Sequence, residues 1–195
     1  MNQMLLKLCV IATLATTLAT EQLQAQSRQF PAPRQSRPIA IINATVHNPP
    51  AEIDGTDEVV LENGFVLFDE GRILTTGSGD PGNLDGYDVL DAEGLHVYPG
   101  LISGPSQIGL VETLQVRATD DRSELDNMHP EITAWVAVNP DSDLIPVARS
   151  AGILTAMVFP TGGTLGGQPS VIRLDGWTTE DLVLDRSIGS LIRLL

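Results

Sequence analysis

One stretch, residues 95–110 (LHVYPGLISGPSQIGL), constrains this chain more than any other. A strand-like apolar run from His96 to Ile102 ends in small residues and turn formers, Ser103, Gly104 and Pro105. Before it the sequence reads as short strands and turns. After it come a helix, another apolar strand and a Gly-rich loop. A strand that ends in a loop at such a change of pattern is where α/β enzymes place their chemistry. The residues at that strand end are the first place to look for a site.

The N-terminus reads as a targeting segment. Lys7 precedes an apolar run over residues 8–19, too short to span a bilayer, and Leu23-Gln24-Ala25 offers a cleavage site. A signal peptide over residues 1–25 is therefore expected, and with it a periplasmic or secreted protein. Its removal takes away Cys9, the only cysteine, and Lys7, the only lysine; Glu21 leaves too, so the net charge stays at −14. A field of that sign argues against nucleic acid or an anionic membrane surface as a partner. Residues 26–38, rich in Pro, Gln and Arg, read as a flexible leader.

The pattern turns to β at Ile39. Residues 39–46 are apolar and rich in β-branched side chains, and Pro49-Pro50 prevents a longer strand. Asn63-Gly64 signals a tight turn, and Asp69-Glu70-Gly71-Arg72 a second, which makes residues 65–68 and 73–76 hairpin partners. Residues 87–90 and 95–102 read as two more strands about the turn Asp91-Ala92-Glu93-Gly94. The expectation for residues 39–94 is a small, mostly antiparallel β module. Asn43-Ala44-Thr45 matches a glycosylation sequon within the first strand.

Residues 111–134 are polar and irregular. Five carboxylates, Asp120, Asp121, Glu124, Asp126 and Glu131, lie near His129, a composition that suits either a Ca²⁺ site or a solvated loop. Asp141 or Ser142 caps an expected helix to about Ser150, with Ile145, Val147 and Ala148 inward. Residues 153–159 (ILTAMVF) read as a strand buried on both faces, so that strand, helix and strand form a β-α-β unit. A Gly-rich loop over residues 160–169, a strand over 170–174 and a short helix capped at Thr178 complete the reading.

With NGFVLFDEGRI, DAEGLHVYPGLI, NPDSDLIPVARSAGI, FPTGG and GGQPSVIRLDGWTTEDL taken together, the sequence from about Ile39 onward resembles the amidohydrolase superfamily, the metal-dependent hydrolases related to imidazolonepropionase and dihydroorotase. The resemblance implies a (β/α)₈ barrel joined to a β-sandwich, hydrolysing carbon–nitrogen bonds with Zn²⁺ or another divalent metal. In that family the first barrel strand ends in a PGxID-x-H-x-H motif, whose two histidines share one strand face and bind the metal. Matching PGLI puts Ser103 at the Asp position, Pro105 at the first His and Gln107 at the second. Proline brings no side-chain donor, and an amide oxygen is a poor zinc ligand. The further ligands that the resemblance implies, a Lys or Glu, two His and an Asp, have no Lys after Lys7 and no His after His129 to draw on.

Other motifs fail on chemistry. Residues 104–109 fall one position off a G-x-S-x-G nucleophile elbow, with Pro105 against the turn it requires. Residues 162–167 have phosphate-loop glycines, but Gln168-Pro169 stands where Lys and Ser/Thr are needed. His47, His96 and His129 are too far apart in sequence to share an element, and each reads as structural.

The expectation is an α/β chain: a β-sandwich portion over 39–94 and an incomplete, truncated amidohydrolase barrel over 95–195. It carries no catalytic, cofactor-binding or metal-ligating residue of its own and is inactive alone. The alternative is a non-catalytic module that associates with itself or with a partner chain through an exposed sheet edge. N-terminal sequencing of exported protein is expected to begin at Gln26; a chain still starting at Met1 contradicts the targeting segment.

Overall fold

The structure, a computed structural model, describes residues 30–48, 59–124 and 127–193. The targeting segment, the first residues of the leader, and Asp126 of the acidic group lie outside the described residues. What is described is a sheet-rich α/β arrangement with two mixed sheets and few helices.

The first sheet is built on β1 (Ile39–Asn48), whose Ile, Val and Thr residues suit a pleated, half-buried surface. β2 (Val59–Asp69) runs antiparallel along one side of it, from Ile39 opposite Phe68 to Asn48 opposite Val59. β3 (Arg72–Ser78) continues beyond β2 through the Asp69–Arg72 turn, where Glu70 (φ 46°) and Gly71 (φ 73°) both take left-handed values. Two successive left-handed residues are what a two-residue hairpin needs to match strand twist. On its other side β1 takes two short parallel neighbours in turn, β4 (Asp88–Asp91) and β5 (His96–Val97). The module is therefore mixed rather than mostly antiparallel.

The change of neighbour happens at a kink in β1. Asn43 has φ 54°, and its side-chain amide donates to Asp91 Oδ2 at 2.9 Å, while the Glu93 N–H donates to Asp91 Oδ1 at 2.9 Å. These bonds, the Glu93 N–H first, hold the Asp91 carboxyl below its ordinary pKa. The sequon asparagine is thus a structural residue with its amide engaged. Asn63-Gly64 is not a turn: Asn63 (φ 48°) lies within β2, and the register shifts there because Gly64 pairs with Ala44 across a bulge. The core of this sheet is small, formed by Ala44, Val46, Val66 and Ala92 with Leu61, Phe68 and Val97 against them.

The expected single strand over 95–102 is divided. β5 belongs to the first sheet, and Tyr98, Pro99 and Gly100 carry the chain into β6 (Leu101–Ser106), which opens the second sheet. A side chain at Gly100 would meet Leu154 at 2.5 Å, so the crossing needs glycine. Ser103, Gly104 and Pro105, read as turn formers, are in the strand instead. Among the described residues β6 lies at the sheet edge, where one row of N–H groups has no ladder partner, and its register slips between Ser103 and Pro105. Edge strands and bulges are where a sheet tolerates proline.

α1 (Leu144–Ser150) follows, and β7 (Ile153–Val158) pairs parallel with β6, as a β-α-β unit requires. The hydroxyl of buried Ser142 accepts from the Leu144 N–H at 3.3 Å, while Asp143 occupies the cap position without a side-chain cap bond. Ile145 is fully buried, but Val147, two residues further and on the opposite side of the turn, is 64% exposed. β7 is not buried on both faces either: Ala156 and Val158 are buried while Leu154 is half-exposed.

β8 (Ser170–Arg173) and β9 (Val183–Asp185) add antiparallel, with α2 (Thr179–Leu182) between them, capped by the reciprocal bonds of Thr178 and Asp181. A parallel return demands a crossover of a dozen or more residues, usually helical. The Gly-rich link from β7 to β8, residues 159–169, has no helix to carry such a crossover, and the chain turns back. The described residues form an open four-stranded sheet and no closed barrel. Its core joins Leu110, Val138, Ile145, Ala156, Ile172 and Leu182.

Ile145→Ala is expected to cost about 2–5 kcal/mol of stability, read from the urea midpoint. Val147→Ala should stay within about 0.5 kcal/mol, as exposed substitutions do.

Candidate functional site

The end of β6 meets the end of β7 where the Phe159 N–H donates to the Ser106 carbonyl at 3.0 Å. An open groove there is lined by Pro105, Ser106, Gln107, Phe159, Pro160 and Thr161. The loop after β6 folds back on this end: the Asp121 N–H donates to the Leu110 carbonyl at 2.8 Å, and Val111 bridges Asp120.

Arg122 organises the loop. Its Nε and Nη2 donate to the two carboxylate oxygens of Asp120 at 2.8 and 2.7 Å, and its Nη1 donates to Gln107 Oε1 at 3.0 Å. The paired guanidinium bonds lower the Asp120 pKa from its ordinary 3.8 to about 2, against the opposing effect of desolvation. The Arg122 carbonyl in turn accepts the Thr161 N–H at 2.6 Å, which ties the loop to the segment leaving β7. Gln107, at the second expected histidine position, is thus bound to a permanent cation.

A divalent metal does not fit this donor set. Pro105 offers no donor atom, and the oxygen of Gln107 already faces a guanidinium that never loses its charge. Ser103 lies within the bulged strand. Ser106 Oγ accepts the Ile108 N–H at 3.2 Å, the role of a turn residue rather than an elbow nucleophile.

Behind Arg122 is a cavity of about 40 Å³, lined among others by Leu110, His129, Thr133, Pro160 and Thr161. His129 Nε2 is buried there with no hydrogen-bond partner among the described residues, and Nδ1 lies 3.5 Å from Glu131 Oε1. Within the acidic group Asp120 is paired with Arg122, Glu131 faces the histidine, and Asp121 and Glu124 line the same cavity as His129. Among the described residues no three His, Cys, Asp or Glu side chains are grouped to hold a metal. The Gly-rich loop crosses close to the 127–129 segment, with the Thr164 and Leu165 N–H groups on the Asn127 carbonyl at 2.8 and 3.1 Å.

Two of the histidines come together. His47 near the end of β1 and His96 at the start of β5 meet at 2.8 Å, Nε2 to Nδ1, and Tyr98 stacks on His47 at 4.1 Å. Forty-nine residues separate them in sequence, and parallel pairing of β5 on β1 closes that distance. Both strand-like runs, residues 39–46 and the apolar one holding His96, were readable in the sequence, but nothing in them gave their register.

No family model matches the chain, and no curated protein matches it. Among solved structures, it is similar to the crystal structure of an amidohydrolase from Thermotoga maritima, at 26% identity and a TM-score of 0.64 over 78% of this chain and 38% of that one. The chain therefore spans little more than a third of the length of that structure. An amidohydrolase-like character agrees with this neighbour.

The Asp120 pKa is depressed, so its pairing contributes stability that is complete above the ordinary carboxylate range and lost as pH falls through about 2. The stability difference between wild type and Asp120→Asn is expected to be constant from neutral pH to about pH 5 and to close toward pH 2. A difference that does not change with pH would show that the ion pair contributes nothing.

Proposed function

We propose that this is an exported amidohydrolase-like polypeptide, related to hydrolases of carbon–nitrogen bonds, whose own residues do not perform the reaction. In this reading the parallel pair β6 and β7 stands for the opening strands of the barrel that the resemblance implies, and the first sheet for the sandwich portion. The observation that carries this reading is the Arg122 Nη1 bond to Gln107 Oε1. Where relatives of such a chain place imidazoles around a metal, this one places a proline and an amide held by a guanidinium. Hydrolysis needs an activated water and a polarised carbonyl. Pro105 and Gln107 supply neither.

A second reading is favoured by the edge of the second sheet. β6 leaves Leu101 57% and Ile102 74% exposed, and with Tyr98, Pro99 and Leu154 they line an open groove of about 640 Å³. A strand edge without a partner among the described residues, beside an apolar groove, suits an assembly module that takes up a partner chain or a second copy.

The full chain, supplied with Zn²⁺ or Mn²⁺, is expected to retain no stoichiometric ion after desalting and to leave cyclic amides and dipeptides intact. One tightly held ion per chain together with turnover would overturn the first reading. Sedimentation decides the second: Ile102→Glu should abolish any association shown by the wild type.

A further inference from the structure

We propose that residues 30–38 form a strap tying the second sheet to the first, and that its Arg34–Gln35 bond is a processing site for an arginine-specific peptidase. The strap is independent of the reading above. The two sheets have separate cores, and the chain passes from one to the other at Tyr98–Gly100. The strap makes a second link. At one end the Ala32 N–H donates to Asp175 Oδ1 at 3.3 Å, two residues after β8. The guanidinium of Arg149, in the last turn of α1, donates to the same oxygen, so the anchor is itself held by the helix of the second sheet. At the other end Gln35 Nε2 lies 3.3 Å from the Phe68 carbonyl oxygen and 3.1 Å from Asp69 Oδ1, at the β2–β3 turn. The Asp88 N–H then donates to the Pro38 carbonyl at 2.8 Å, just before β1. Pro31, Pro33 and Pro38 restrict the backbone and lower the entropy lost when the strap is laid down.

Between its anchors the strap is open to attack. Residues 32–37 are exposed and belong to neither helix nor strand, the kind of segment at which nicking concentrates. A serine peptidase with a carboxylate at the base of its specificity pocket takes Arg before the bond it cuts. Other arginines are poorer targets. Arg37 precedes Pro38, Arg72 and Arg173 lie in strands, Arg122 is paired with Asp120, and Arg149 with Asp175.

Hydrolysis consumes one water. The Arg34 carbonyl carbon takes the hydroxyl and ends as a carboxylate, and the Gln35 nitrogen takes the hydrogen and becomes a new N-terminus. The Asp175 end of the strap is then severed from the Gln35 end. The groove of about 340 Å³ that Pro31, Ala32 and Arg34 line together with Arg173, Asp175 and Trp177 opens.

The test digests the full chain, and a synthetic peptide of residues 29–38, with dilute trypsin and weighs the products by mass spectrometry. Cuts after Lys7 and Arg28 leave the strap whole. Among the arginines of the described residues, Arg34 is expected to be cut first, and more slowly in the chain than in the peptide, because the strap must lift to enter the peptidase. Asp175→Ala removes the anchor and should raise the Arg34 rate about 3–10-fold, with the rates at Arg72 and Arg186 unchanged. A rise at all three marks a general loss of stability. Ala32→Pro, an exposed change that removes the N–H donor, then decides, measured against a peptide carrying the same substitution; it should raise the Arg34 rate alone. A first cut at another of these arginines, equal Arg34 rates in chain and peptide, or an Ala32→Pro chain cut no faster than wild type overturns the proposal.

Discussion

The structure depends on how β1 shares one of its sides. A regular strand offers each side to a single neighbour, but β1 is kinked at Asn43 and passes its parallel side from β4 to β5. The Asp91–Asn43 bond holds the kink, and the Gly94 N–H on the Asn43 carbonyl at 2.7 Å closes it. That sequence of partners brings His96 beside His47 and delivers Tyr98, Pro99 and Gly100 to the point where the chain enters the second sheet. A straight β1 paired with one long strand would place none of these residues where they are.

Much of the element order was legible in the sequence. The hairpin at Asp69–Arg72, the helix before Ser150, the strand after Gly152 and the cap at Thr178 all follow from local chemistry: left-handed residues in a two-residue turn, apolar spacing, a reciprocal side-chain bond. The misread places are those where tertiary context overrides a local rule. Asn63-Gly64 has the residues of a turn, yet a bulge uses the same left-handed conformation. Ser103-Gly104-Pro105 looks like a strand terminator, yet an edge strand need not donate from every N–H. Whether apolar residues alternate or run on says little about which partner a strand takes. For that reason the parallel pairing of β5 on β1 and the antiparallel return of β8 were hidden.

The candidate site was half legible. Pro105 and Gln107 could be picked out as unsuited to a metal from their identity alone. That Gln107 is bound by Arg122, and Arg122 by Asp120, could not, because the three come from a strand end and a loop whose folding back depends on long-range bonds. The acidic composition of that loop suited either a cation or plain solvation; the cation beside Asp120 is a guanidinium covalently part of the chain. A side-chain cation of this kind neutralises a carboxylate and orders a loop, but it does not acidify water as a metal does.

Pro105 in the outer strand has a consequence for how the molecule meets other chains. A ladder along β6 is interrupted at the bulge between Ser103 and Pro105, and Pro105 brings no N–H to it. Stacking of copy upon copy needs unbroken backbone ladders, and β6 has none longer than a few residues. A strand interrupted in this way is a poor template for a fibre.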